Sequence, residues 1–112
     1  MTKEEFLEAH IFQGLDNIND GFDIENTHCF SESDFNTVIE RTEKLGVGIY
    51  AIAPWHDGKL FGAKVNEDYR KKATDARWYK TAFFAFKRKQ EKMKYTATFR
   101  VSEALLKKQI SK

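Results

Sequence analysis

At 112 residues, with 41% hydrophobic and 14% aromatic residues, the chain is long enough to bury its own core and too apolar to be disordered, despite 32% charge. No window approaches about eighteen apolar residues, and Met1–Glu5 carries no basic segment followed by an apolar run, which argues against a membrane span or a signal peptide. The net charge of +2 hides a split: residues 1–45 hold three bases against eleven acids, a net of −8, and residues 46–112 hold sixteen bases against six acids, a net of +10. One domain, residues 1–112, is expected.

Thr2-Lys3-Glu4-Glu5 has the form of a capping box, so the first helix is expected to start there and to run to about Gln13, with Gly14 as its stop. Residues 15–30 lack a period and read as an irregular acidic connection, with a further strand within 22–30 left open. Asp16, Asp20 and Gly21 match positions of a calcium loop. Ile18 and Thr27, however, fall where that loop needs an oxygen ligand and a bidentate carboxylate, so an EF-hand is rejected. Cys29 is the single cysteine, which excludes an internal disulfide and points to a reducing, cytoplasmic setting.

Ser31 precedes Glu32-Ser33-Asp34, a hydroxyl cap followed by acids in the first turn. Phe35, Val38, Ile39, Thr42 and Leu45 then make one helical face, and Gly46 ends it. Val47–Ala53 and Leu60–Val65 flank Pro54-Trp55-His56-Asp57-Gly58-Lys59, where Asp57-Gly58 predicts a tight hairpin turn. Strict alternation places Val47, Ile49 and Ala51 on one face of the first strand and Tyr50 and Ile52 on the other. Pro54 is expected to end the ladder or to sit on an edge, and Gly48 and Gly62 to mark a bulge or a close approach by another backbone or a ligand.

Residues 66–73 read as a surface loop. Thr74 caps a helix whose stripe Trp78, Tyr79, Ala82, Phe83 and Phe86, widened by Phe84 and Ala85, is core, and the helix continues into the basic run 87–94. Tyr95, Ala97, Phe99 and Val101 alternate inward against Thr96, Thr98 and Arg100 on a wet face, which predicts a strand. Ser102–Ile110 closes as a short capped helix with Leu105, Leu106 and Ile110 as its docking face. The order α-α-β-β-α-β-α implies a two-layer α+β domain with a mostly antiparallel sheet of three to four strands covered by helices.

Chemistry is harder to find. His28 and Cys29 are sequence neighbours in extended chain and point apart, so Cys29 reads as a buried small hydrophobe rather than a nucleophile. The six glycines match no phosphate-binding spacing, there is no nucleophile elbow, and no His or Cys spacing suits a metal, so no cofactor or metal is expected and an enzyme has no support. The leading expectation is a non-catalytic binding protein with a protein partner, met through Asp16, Asp20, Asp23 and Glu25 and through Trp55 and His56 at an exposed hairpin tip. An alternative is nucleic-acid binding through Arg70, Lys71, Lys72, Arg88, Lys89 and Arg100. A third is a small-molecule pocket near Tyr50, Trp55 and His56. The charge split also has a purely internal explanation, in which the acidic half lies against the basic half.

Overall fold

Caps decide where the helices begin. In the computed structural model, which describes residues 2–19 and 28–110, α1 spans Lys3–His10. Thr2 Oγ1 accepts from the Glu5 amide at 3.1 Å, and Glu5 Oε1 accepts from the Thr2 amide at 2.7 Å. That second bond holds the Glu5 carboxyl below its ordinary range. α1 stops short of Gln13 because the amides of Ile11 and Phe12 both turn back to the Leu7 carbonyl, which puts both side chains into the core. α2 spans Glu32–Leu45 behind its Ser31 cap and ends at Gly46, as the residue pattern requires.

α3 spans Ala76–Lys89, and its cap is Asp75 rather than Thr74. It does not continue through the basic run. Gln90 is extended and Lys92 is left-handed, so the chain leaves the helix in time for Met93 to be buried ahead of the next strand. A short 3-10 turn at Asn66–Tyr69 occupies part of the expected loop, and α4 spans Glu103–Ile110.

The sheet is antiparallel and centred on β1, Gly48–His56. β4, Lys94–Arg100, runs along one side of it from Gly48↔Arg100 to Trp55↔Lys94. The other side carries two fragments, β2 at Lys59–Leu60 and β3 at Lys64–Val65, where the sequence suggests one continuous strand. Asp57 and Gly58 both take positive φ, 52° and 76°, the conformation a two-residue hairpin turn needs and Asp-Gly tolerates best. Phe30 adds a bridge at the far edge of β4, exchanging hydrogen bonds of 2.9 and 2.7 Å with Tyr95. Residues 20–27, and with them most of the open question of a strand at 22–30, lie outside the described residues.

Two features of β1 depart from simple alternation. A bulge separates Ile49↔Phe99 from Ala51↔Thr98, leaving Tyr50 as the extra residue. Parity therefore flips at Tyr50, so Val47, Ile49 and Ile52 are all buried, while Ala51 and Ala53 share the opposite face with Thr98 and Thr96. Pro54 does not end the ladder but sits inside the central strand opposite Tyr95. Tyr95 turns its own amide and carbonyl toward Phe30, and the Pro54 carbonyl accepts from Phe61, so the missing proline donor faces the interrupted β2–β3 side. The gap in the edge and the absent N–H coincide.

The core is aromatic. Phe35 stacks on Tyr95 at 5.1 Å, Phe83 meets Tyr95 edge-on at 4.9 Å, and Phe35 and Phe83 contact each other at 5.2 Å. This ring cluster ties α2 and α3 to β4, and the Trp78 indole N–H ties α3 to β1 by donating to the Ile49 carbonyl at 3.1 Å. Burial pushes the Tyr79 phenol up to about 12, with Glu43 and Asp75 adding to the shift, and raises Tyr95 as well. Phe83, Phe86 and Phe99 are all buried, so the core reading of the stripe holds; of the two residues taken to widen it, Phe84 stands 58% exposed and Ala85 is exposed as well.

Gly48 explains itself through a close approach. A Cβ there would lie 3.0 Å from the Ala73 carbonyl carbon and 3.1 Å from the Ala73 Cβ, while the next residue, Ile49, donates to the Ala73 carbonyl at 2.9 Å. The 70–75 segment thus packs directly on the β1 backbone, which cannot retreat without breaking that bond. Gly48→Ala is expected to destabilise the fold by about 1–3 kcal/mol, the cost typical of overpacking, read as a lower denaturant midpoint at unchanged slope. An unaltered midpoint would show that the 70–75 segment does not lie against β1.

Candidate functional site

The hairpin tip is not the exposed aromatic site that its sequence suggests. Trp55 is only 7% exposed, and its indole N–H donates to Thr96 Oγ1 at 3.2 Å, which in turn donates to the Ala53 carbonyl at 3.0 Å. Thr96 is correspondingly buried rather than wet. The ring is tied to the neighbouring strand by this contact, which links positions 41 residues apart. His56 is half-exposed at the turn, with Nε2 3.4 Å from Asp57 Oδ2.

The six predicted cations do not form one patch. Arg70, Lys71 and Lys72 are exposed just before α3, and the Tyr69–Trp78 ring contact at 5.7 Å anchors that turn beside the start of the helix. Arg88 and Lys89 are exposed at the other end of a 14-residue helix, roughly 20 Å away at 1.5 Å per residue. Arg100 lies exposed on β4, opposite Gly48. In the first turn of α3 Arg77 is forked onto the cap residue Asp75, and one turn on Lys80 reaches Glu43 at 2.6 Å. Phe84 stands in solvent with the Arg88 guanidinium 5.8 Å from its ring centroid.

Of the acidic candidates, Asp16 is exposed after α1, while Asp20, Asp23 and Glu25 lie outside the described residues. Lys80–Glu43 joins the acidic and basic halves; the other ion pairs among the described residues, Glu8–His28, His56–Asp57 and Asp75–Arg77, each stay within one half. Cys29 is fully buried, and its amide donates to Asn17 Oδ1 at 2.9 Å. Among the described residues no three of His, Cys, Asp and Glu converge as metal ligands, and no helix is long and apolar enough to cross a membrane.

Two surfaces emerge that the residue pattern alone does not announce. The first is the hairpin: Leu60, Phe61 and Val65 on its outer edge, and Tyr50 at the bulge of β1, are all at least 36% exposed. Leu60 pairs with Trp55 and Val65 with Ala51, so both stand on the sheet face that carries Ala51 and Ala53. Lys59 and Lys64 lie exposed within the same two fragments.

The second is an open cleft of about 560 Å³ between α1 and the β1–β4 ladder. Ala51, Ala53, Thr96 and Thr98 provide small side chains on the sheet side, and Leu7, Phe12 and Phe99 provide apolar walls. Glu8 Oε1 meets His28 Nε2 at 2.8 Å at its margin, and the His28 ring stacks on Phe12 at 4.4 Å. None of Tyr50, Trp55 and His56 lines this cleft, so the pocket expected near them is not the one formed here. A trace of it is legible in hindsight, since Ala-Ile-Ala at 51–53 and Thr-Ala-Thr at 96–98 place small residues at a period of two.

No protein-family model matches the chain, and neither a curated protein nor a solved structure matches it.

The electrostatics at the start of α3 give a pH signature. The bidentate Arg77 fork and the Arg77 amide hold the Asp75 carboxyl at about 2, down from 3.8. Because the folded value is depressed, this contribution to stability is complete above about pH 4 and is lost as pH falls through about 2. The Asp75 carboxyl carbon followed by NMR is expected to titrate near 2. A midpoint near 3.8 would mean the fork does not form.

Proposed function

We propose that the protein is a non-catalytic binding module that acts by contact with another protein, using the outer edge of its hairpin. The observation that carries this reading is that Tyr50, Leu60, Phe61 and Val65, four of the five large hydrophobic residues exposed among the described ones, lie on that one hairpin. At 36–54% exposed, each of these side chains keeps roughly a third to a half of the roughly 1.5–3 kcal/mol that full burial of an apolar side chain contributes. Lys59 and Lys64 on the same fragments favour a partner whose apolar surface is fringed with acids. The edge itself is blunted, since β2 and β3 are two residues each and interrupted between, so it offers no continuous ladder for an added strand. Side chains rather than backbone are expected to hold the partner.

Asp16, exposed after α1, is the described member of the acidic set and is taken as a separate contact of the same charge-polarised protein. Nucleic-acid binding is the second reading, favoured by Phe84 in solvent beside Arg88, a ring and guanidinium of the kind that stack on bases. Its weakness is electrostatic: the cations are spread along about 20 Å of helix, and Arg77 in the first turn and Lys80 in the second are already paired.

Leu60→Ser with Phe61→Ser should leave circular dichroism unchanged, because both side chains are exposed. Affinity capture quantified by mass spectrometry should lose, by at least about tenfold, acidic proteins that wild type retains and that Lys59→Glu with Lys64→Glu also loses. Retention that is identical for all three baits would sink the hairpin surface. A concentration-dependent dimer that is abolished by the serine pair would replace the heterologous partner with a second copy of this chain.

For the second reading, fluorescence anisotropy with single- and double-stranded oligonucleotides at 50 and 200 mM salt should show no salt-sensitive binding at micromolar protein. Binding that weakens with salt and is reduced in a Phe84→Ala, Arg88→Ala variant would instead favour nucleic acid.

A further inference from the structure

We propose that the cleft between α1 and the β1–β4 ladder binds a small molecule with an apolar ring and a cationic, hydrogen-bond-donating head, in chemical class an aromatic amine. This site is separate from the hairpin edge and does not depend on the protein-binding reading. Its volume of about 560 Å³ falls within the roughly 300–1,000 Å³ of small-molecule sites. The room exists because the sheet contributes alanine and threonine here, Ala51 opposite Thr98 and Ala53 opposite Thr96, where larger residues would fill the space.

The walls set the body of the ligand. Leu7, Phe12 and Phe99 face the cleft, with the two phenylalanine rings edge-on to each other at 5.5 Å, a surface suited to a ring rather than to a sugar or a polar chain. The margin sets the head. Glu8 Oε1 is fixed by His28 Nε2 at 2.8 Å, and His28 is itself fixed by stacking on Phe12, so the carboxylate is positioned before any ligand arrives. A carboxylate is an acceptor with lone pairs to spare after one such bond, and it therefore selects a donor. Glu4, one helical turn before Glu8, also lines the cleft; against these two carboxylates stand Lys3 and the His28 imidazole bonded to Glu8, so with the imidazole counted as neutral the lining is net negative. The balance favours a positive head.

Two probes with the same ring and opposite heads test this: tryptamine and indole-3-acetate, each titrated into the 15N-labelled full chain. Tryptamine is expected to shift the amides of Ala51, Ala53, Thr96 and Thr98 saturably and to bind about tenfold more tightly than indole-3-acetate. Glu8→Gln should remove that preference, and since Glu8 is exposed it should leave the fold intact. Ala53→Leu fills the floor and should abolish binding of both probes; Thr98→Leu, at an exposed position, does the same if Ala53→Leu unfolds the sheet. Absence of saturable shifts with either probe at millimolar concentration overturns the site. Shifts that survive both leucine variants place the probe elsewhere and overturn it too, and equal or tighter binding of indole-3-acetate overturns the assignment of the head.

Discussion

The pairing of β1 with β4, and the single extra residue at Tyr50 within it, is the constraint on which the rest depends. Seven cross-strand pairs fix these two strands, and the bulge between Ile49 and Ala51 decides which face each later side chain occupies. Without the extra residue, Ile49 and Ile52 would point to opposite sides. With it, both enter the core under α2 and α3, and the small residues Ala51 and Ala53 are left facing the other way. The helical layer, the Phe35–Phe83–Tyr95 ring cluster and the open cleft all follow from that choice of parity.

A second consequence concerns the edges. Pro54 within the central strand removes a donor on the side of the return strand, and there the ladder breaks into β2 and β3. A broken edge protects against indiscriminate strand pairing, and Leu60, Phe61 and Val65 stand exposed along it. On the far side, β4 is partly closed by the Phe30 bridge, which brings His28 beside α1 and within reach of Glu8. One residue type at one position thus shapes the exposed apolar edge, while a two-bond bridge shapes the cleft.

Charge distribution is settled more by local partners than by the contrast between the two halves of the chain. Arg41 caps the end of α1 by donating to the carbonyls of Ile11 and Gln13 at 2.9 and 2.7 Å, and Arg77 serves the α3 cap. Lys87 lies 4.5 Å over the Phe83 ring. Arg41, Arg77 and Lys87 are therefore already engaged with the fold, and the six cations that read as a nucleic-acid face in linear order are dispersed.

What the sequence determined alone are features of short range. The Thr2–Glu5 box, the Ser31 cap, the Phe35–Thr42 face and the Asp57-Gly58 turn each depend on residues within one or two turns of one another, and each stands as the pattern requires. The α+β class follows from their order. The tertiary structure decided what depends on distant partners: the parity flip at Tyr50, the burial of Trp55 by Thr96, the exposure of Phe84, and the meeting of Glu8 with His28. The physical reason is that alternation and helical period fix side-chain direction only relative to neighbouring residues. A bulge or a cross-strand hydrogen bond resets that direction through a contact whose two ends carry no shared local signal.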